Sequence, residues 1–460
     1  MWLVCDLAPD LVGISALFTP YFREVLACAG AIKKKCTMPI VVGGSHVSAC
    51  PESILRDPQV DYVISGEGER PLVELIQALD GNGDLGRVPN LGYKENGRLL
   101  FNPREENYPL AELPVPDFSD LDRERYLYDG KPVCMLMTSR GCPHRCTFCS
   151  VSQTFGRVFK MRGIEAIIVE IEQRYGEGYR VFDFEDDNLT FDLSRFKELC
   201  RRLISLCRER DIRFLAMNGI SYRNLDSEAL SLMRQAGFTH LNLALVSASQ
   251  DILAATGRPH LVAGFADLAE AAYSYGFKAV GYQILGLPGE SLASMISTMA
   301  FLARQPMLIG VSTFYLIPGS ALAAAFPALD ETAMVRARST AMALKTGDCS
   351  RDDLFTLFIA ARIINFLKGV RLLNEETTFQ DMLRHGHEDH RGSHGFRLLR
   401  ILFAEGRLFA ISRTGDLLPV TRFKVDLFYR ILNETGRLRT LEGKSLLLPG
   451  ENRAGAYLQN

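Results

Sequence analysis

Between residues 131 and 322 the chain repeats one pattern six times, a short apolar segment followed by a stretch with helical periodicity. The apolar segments are 133–139, 180–184, 212–217, 240–245, 279–285 and 311–316. Helices are expected between them, among them 162–175, 193–210 and 227–235, the last with Asp226 as its N-cap. Apolar strands that alternate with helices can pair only in parallel, because each helix carries the chain back to the end where it started. The fold class is therefore α/β, with helices covering the sheet and chemistry expected at the carboxyl ends of the strands.

A second, shorter run of the same kind precedes it. Strands are expected at 11–15, 39–44 and 62–66, and helices at 21–35 and 71–79, with Pro71 at an N-terminal position where its missing N–H costs little. Glycines at strand ends, Gly43 and Gly44 above all, mark places where a parallel sheet lets a ligand approach closely. Residues 82–131 hold Pro89, Pro103, Pro109, Pro114 and Pro116 with broken periodicity, so a linker is expected there. Beyond 326 the pattern weakens to helices at 331–345 and 352–368 and small strands near 408–412 and 417–421. The division expected is 1–82, 83–131, 132–325 and a mostly helical 326–460 without a signature.

Composition excludes several classes. A net charge of −2 and 23% charged residues give no basic excess for nucleic acid. The N-terminus lacks a basic region and a continuous apolar stretch, so it does not read as a signal peptide. The longest apolar run, 354–370, contains Arg362 and Lys368 and is too short to span a membrane; an amphipathic core helix is expected, with an interfacial helix as the alternative. Eleven cysteines are too sparse for a disulfide scaffold in 460 residues.

Three of them stand apart. Cys142, Cys146 and Cys149 form a CxxxCxxC run directly after the first strand of the long repeat. Three thiolates on one short loop can hold three irons of a 4Fe–4S cluster and leave the fourth iron open. A structural zinc site would need four ligands in paired spacing, and His144 is poorly spaced to be the fourth. Such a cluster needs a reducing compartment, so the cytoplasm is expected. His385, His387, His390 and His394, with Glu388 and Asp389, lack regular ligand geometry and read as a solvated loop.

The triad with Phe148 before its last cysteine resembles the signature of the radical S-adenosylmethionine (SAM) superfamily, whose core is a partial (β/α)6 barrel. The resemblance implies that Cys142, Cys146 and Cys149 ligate the cluster and that Phe148 lies toward the adenine of SAM. It implies that the acidic element at Asp186 and Asp187 meets the SAM ammonium, and that the turn in Gly281-Tyr-Gln-Ile-Leu-Gly-Leu-Pro-Gly-Glu290, through Gly286, approaches the adenine while Glu290 opens the next helix. The fourth strand departs from the family pattern. Val246 stands where a glutamate is expected, which leaves its work to Ser247, Asn218 or Gln283.

The words Gly13-Ile-Ser-Ala-Leu-Phe-Thr19, Val42-Gly-Gly-Ser-His46 and Asp61-Tyr-Val-Ile-Ser-Gly-Glu-Gly-Glu69 resemble the Rossmann-like cobalamin-binding domain found ahead of one large class of radical SAM enzymes. Ser15, Leu17, Gly43 and Gly44 match the positions that line the nucleotide-tail slot. The family's first strands are expected upstream of Met1, so an incomplete domain and weakened cobalamin binding are expected; a structural or surface role is expected for His46. The class implies a 4Fe–4S cluster, SAM and cobalamin as cofactors, a flavodoxin or ferredoxin as reductant, and a small substrate, lipid-like or tetrapyrrole-like. Methyl transfer to an unactivated carbon is the first expectation. A radical cyclisation or rearrangement is the second, and a non-catalytic partner protein the third.

Overall fold

The computed structural model describes residues 6–449 apart from 106–107, 209, 219, 259–260, 327–329, 337–348, 373, 375 and 386–392. Its first layer is a five-stranded sheet. Strands β1 (Val12–Ser15), β2 (Ile40–Gly43) and β3 (Tyr62–Ile64) run parallel, in that order. Helices α1 (Phe22–Lys33), α2 (Ser45–Ala49), α3 (Pro51–Leu55) and α4 (Glu69–Gln77) connect and cover them. Val42, Val47, Ile54, Leu55 and Val63 form the closed apolar interior. The segment expected to be linker departs from that reading. Strands β4 (Leu91–Glu95) and β5 (Arg98–Phe101) form an antiparallel hairpin that extends the sheet from β3. Asn96 and Gly97, both at positive φ, make its two-residue turn. The prolines that suggested a linker lie outside the hairpin, Pro89 just before it and Pro103 just after it.

The second layer curls. Six parallel strands follow one another: β7 (Lys131–Leu136), β10 (Val181–Phe184), β11 (Arg213–Leu215), β12 (His240–Val246), β13 (Lys278–Leu285) and β14 (Leu308–Thr313). Strand β6 (Leu127–Tyr128) pairs antiparallel with the outer edge of β7. Between β11 and β12, among the described residues, two isolated parallel bridges, Phe214 with Phe238 and Ile220 with Leu243, carry the sheet across. Side chains close that seam. The rings of Phe184, Phe214 and Phe238 lie 5.5–5.6 Å apart and are all buried. The last strand begins at Leu308, earlier than the expected 311, because Leu308, Ile309 and Gly310 already pair with Val280, Gly281 and Tyr282.

Helices α5 (Val151–Phe155), α6 (Ile164–Gly176), α7 (Leu193–Cys207), α8 (Ser227–Ala236), α9 (Gln250–Ala255), α10 (Phe265–Ser274) and α11 (Leu292–Ala303) accompany the strands. Asp226 caps α8 by accepting the N–H of Ala229 at 2.8 Å, as expected. A short antiparallel ribbon, β8 (Ser139–Arg140) with β9 (Lys160–Met161), stands at the carboxyl end of the strands and brackets the cysteine loop.

The C-terminal region is mostly helical. The helix Arg351–Lys368 starts on a capping box between Ser350 and Asp353. It buries Leu354, Leu357, Ala360, Ile364 and Leu367 in the main core, so it is a core helix and not an interfacial one. Among the described residues no helix is long and apolar enough to cross a membrane. The helix expected at 331–345 is described only over Glu331–Arg336, and His387, His390, Glu388 and Asp389 lie outside the described residues. Of the cysteines outside the triad, Cys134, Cys200 and Cys349 are buried thiols, Cys28 is exposed and Cys36 is disulfide-bonded.

Lys368 ties this region to the barrel. Its ammonium is fully buried and donates to the carbonyls of Ala303, Gln305 and Arg439 at 2.6, 2.7 and 2.7 Å. Lys368→Met keeps the volume and removes all three donors, leaving buried carbonyls unpaired at roughly 1 kcal/mol or more each. Urea unfolding followed by tryptic release of the C-terminal helices should show a loss of roughly 3 kcal/mol; an unshifted midpoint would show that other donors reclaim those carbonyls.

Candidate functional site

The carboxyl end of β7 turns into the cysteine loop, and the exit of β10 grips that turn residue by residue. Asp186, 1% exposed, accepts the N–H and hydroxyl of Thr138 at 3.1 and 2.7 Å and the hydroxyl of Ser139. Asp187 accepts the N–H of Gly141 at 2.8 Å, and the Asn188 amide donates to Cys142 Sγ at 3.4 Å. Burial pushes both aspartyl pKa values up, and the hydroxyl and amide donors act against it. Gly141 has φ +85°, and a Cβ there would meet the Val158 carbonyl oxygen at 2.3 Å. Only glycine fits that turn.

The far half of the loop is held from the opposite wall. Thr147 donates its N–H to Thr256 O at 2.9 Å and accepts from Leu322 N at 2.9 Å. Cys149 donates its N–H to Cys146 O at 3.2 Å. Between the two walls opens a cavity of about 340 Å³ lined by all three cysteines, with Phe148, Asp187, Asn188, Asn218 and Arg258 among its other walls. Arg258 donates to Ala244 O, and its Nε is buried without a partner.

Of the residues expected from the sequence, the three cysteines, Phe148 and Asp187 meet at this cavity. Asp186 does not line it, because all its acceptor capacity goes to the loop turn. Ser247, Gln283, Gly286 and Glu290 do not line it either. Ser247 donates to Glu290 Oε1 at 2.7 Å, Ser294 does so at 3.1 Å, and Gln283 donates to Met295 O at 2.8 Å. The reason lies in β12. A bulge between Ala244 and Val246 shifts the register, and Val246 adopts φ +75°. A β-branched residue there costs on the order of 1–3 kcal/mol. Val246 is buried with Ile252, Leu253 and Leu287, and Phe148 packs on that group. Glu290 also does not open helix α11; Ser291 caps it by accepting Ser294 N at 3.1 Å.

In the first layer, Ser15 and Leu17 leave β1 exposed, next to Gly43 and Gly44 at the end of β2. Ala16 N donates to Gly43 O at 2.7 Å, and Gly44, at φ +114°, passes so close to Ala16 that a Cβ would meet its carbonyl oxygen at 2.8 Å. His46 is buried, bonded to Thr19 at 3.2 Å through Nδ1 and packed on Phe22, with its pKa pushed down to about 4 by burial. Its role is structural.

Sequence reasoning missed Arg258, Arg145, Arg157, Gln153 and Ser320 as cavity walls. Arg145, Gln153 and Arg157 lie within eight residues of the cysteines and were in reach of the sequence; Arg258 and Ser320 come from segments that only the closed barrel brings near. Among the described residues no three His, Cys, Asp or Glu side chains converge to hold one metal ion. A cubane cluster is wider than one ion, and three thiols around a shared cavity fit the open-iron arrangement.

Residues 136–302 match the family model of the radical SAM superfamily, and residues 3–76 that of the B12 binding domain. An uncharacterized methyltransferase of Pyrococcus horikoshii is 31% identical over 64% of this chain and 64% of its own. The anaerobic magnesium-protoporphyrin IX monomethyl ester cyclase of Rubrivivax gelatinosus is 28% identical over 54% of this chain and 45% of its own. The chain thus spans less than two thirds of the length of either relative. A solved structure of the radical SAM methyltransferase TsrM from Kitasatospora setae, with cobalamin and a [4Fe-4S] cluster bound, superimposes with a TM-score of 0.58 at 17% identity, covering 68% of this chain and 63% of that one. That likeness is one of fold.

Glu290 supplies a test of the buried polar group behind the cavity. Burial pushes its carboxyl up to about 7, the Ser247 and Ser294 hydroxyls only partly offsetting this, and Oε2 has no partner. The native state therefore keeps a proton that the unfolded chain releases near its ordinary value of 4.5. This contribution to stability is full below that value and is lost as pH rises through about 7. Glu290→Gln cannot ionise, so its stability relative to the parent should rise between pH 5 and pH 8, by up to roughly 3 kcal/mol. Equal differences in urea midpoint at the two pH values would refute the assignment.

Proposed function

The chain is a radical SAM protein with a B12-binding domain ahead of its barrel, and from that premise we propose that it is a cobalamin-dependent radical SAM methyltransferase acting on an unactivated carbon. The observation that supports it most is the loop Cys142–Cys149, whose three thiols line one cavity at the barrel mouth behind a sheet of B12-binding type. When bound there, a 4Fe–4S cluster supplies the electron that cleaves SAM to methionine and a 5′-deoxyadenosyl radical, and a corrin supplies the methyl carrier.

This chain's residues then do the positioning. Cys142, Cys146 and Cys149 hold the cluster, and Asn188 donates to the Cys142 sulfur and orients it. Phe148 lends an apolar wall on the side of Val246 and Leu287 and excludes water there. Asp187 and Asn218 offer polar groups toward a SAM ammonium; Arg258 offers a cation. Ser15, Leu17, Gly43 and Gly44 are the residues proposed for the corrin slot, at strand carboxyl ends as sheets of this kind bind ligands. Arg145, Arg157 and Arg258 line the cavity against a single carboxyl, Asp187, which is already engaged by Gly141. That charge balance favours a substrate carrying carboxylates or phosphates, such as a tetrapyrrole acid, over a plain hydrocarbon lipid. A cytoplasmic site and a flavodoxin or ferredoxin as electron donor complete the proposal.

A radical cyclisation is the second reading, favoured by the cyclase of Rubrivivax gelatinosus. Product analysis separates the two. Methyl transfer uses SAM twice, once as radical source and once to remethylate the corrin, so anaerobic reduced enzyme with its substrate should release 5′-deoxyadenosine and S-adenosylhomocysteine in similar amounts. Substrate-dependent 5′-deoxyadenosine alone, on cobalamin-loaded protein, would select the cyclase reading.

The ligand set is tested separately. Cys142→Ala, Cys146→Ala or Cys149→Ala should each abolish the iron–sulfur absorbance and all SAM cleavage. Cys200→Ala and Cys207→Ala should keep full iron content, since Cys200 is a buried core thiol and Cys207 packs against the same core. Equal iron loss in both groups would remove the triad as the cluster site.

A further inference from the structure

The ribbon that brackets the cysteine loop carries an electrostatic problem that its own strands do not solve. In β8 and β9 Arg140 lies directly opposite Lys160. Both side chains are only 11% exposed. Like charges facing each other across two strands repel, and burial strengthens the repulsion. The counter-charge comes from the first layer. Glu67, 5% exposed on the loop after β3, accepts Arg140 Nη1 through Oε1 at 2.7 Å and Lys160 Nζ through Oε2. Glu69, at the start of α4, accepts the other arm of Arg140 at 2.8 Å. The Arg140 guanidinium also lies 5.3 Å from the Phe155 ring centroid, in the short helix that follows the cysteines.

The loop that brings these carboxylates is rigidly held. Gly66 N donates to Ser48 Oγ at 2.8 Å, and Asn90 donates to Glu67 O at 2.9 Å. Gly66 has φ +88°, and a Cβ there would meet Arg104 Nη2 at 2.8 Å and Thr154 O at 3.2 Å, so only glycine lets the two layers approach this closely. Ser65–Glu69 leaves the carboxyl end of β3, on the same edge of the sheet as Ser15 and Gly43. Arg140 is two residues from Cys142.

We propose that Glu67 and Glu69 are positioning residues that couple the two domains, so that the loop at the carboxyl end of the B12-type sheet holds the ribbon and with it the geometry of the cysteine loop. Occupancy of the slot at that sheet edge then reaches the cluster loop through Glu67–Arg140. This rests on the proposed function for the identity of the two sites, but not for the coupling itself.

Amide hydrogen exchange on the full chain tests it without substrate or turnover. Glu67→Gln removes the carboxylate that bridges the two opposed cations, while Glu69 still accepts from Arg140, so exchange in peptides covering 139–149 should speed up tenfold or more while peptides over 181–184 and 241–245 keep the parent rate. Adding Lys160→Met to that variant removes the repulsion and should return the loop most of the way to the parent rate, a rescue that mere loss of an interface contact would not give. Hydroxocobalamin, as probe, should slow the 139–149 peptides of the parent chain and leave those of the Glu67→Gln variant unchanged. Three results would overturn the proposal: unchanged loop exchange in Glu67→Gln, equal acceleration in loop and barrel, or no response of the parent loop to bound hydroxocobalamin. Failure of methyl transfer in the product assay would leave these rates untouched, so the two ideas fail separately.

Discussion

The site depends on how four consecutive residues, Thr138 to Gly141, are pinned. An isolated loop bearing three cysteines has no reason to hold them around one space, since backbone entropy of roughly 1 kcal/mol or more per residue favours many conformations. Here Thr138 and Ser139 bond to Asp186, Arg140 to Glu67 and Glu69, and Gly141 to Asp187. The acceptors on one side come from a strand exit in the barrel, and on the other from a loop of the preceding sheet. Each acceptor is an ionisable carboxyl, so every bond is of the charge-assisted kind when the group is ionised. The cysteines are thus oriented before any ligand arrives.

That arrangement explains why an acidic element follows the second strand. Asp186 and Asp187, expected from the resemblance to face a cofactor, and Asn188 beside them divide their labour. Asp186 supports the loop and is closed off from the cavity. Asp187 does both. Asn188 touches Cys142. A sequence shows that several acidic groups stand together at a strand end; it does not show which of them the preceding loop will consume, because that is decided by partners forty-odd residues away.

Much of the fold was legible because periodicity is local. All six barrel strands and the three strands of the first layer lie within a few residues of their expected places, and Asp226 caps the helix it was assigned. What was missed depends on pairing. The hairpin 91–101 lacks a long apolar run and exists because β3 offers it an edge. The Val246 bulge is invisible in a linear pattern, yet it turns the fourth strand so that Ser247 faces Glu290 and leaves the cavity wall to Phe148 and Arg258. The expected contacts of Ser247, Gln283 and Glu290 rest on a resemblance, and in the structure Ser247 bonds Glu290 while Gln283 bonds Met295 O.

Charge balance follows the same logic across the two layers. The barrel mouth gathers arginines, and the ribbon beside it sets Arg140 against Lys160. A pair of opposed cations at such low exposure is unfavourable in a barrel alone, where desolvation and repulsion add. It becomes stable because the neighbouring sheet inserts Glu67 between them. The two layers are therefore not independent modules joined by a connector. Each buried cation of the ribbon is matched by a carboxylate from the other domain, and an ion pair at such low exposure tolerates little separation before an unpaired charge is left behind. The spacing between the sheet edge at Ser15, Gly43 and Gly66 and the cysteine loop is consequently set by short contacts between rigid turns.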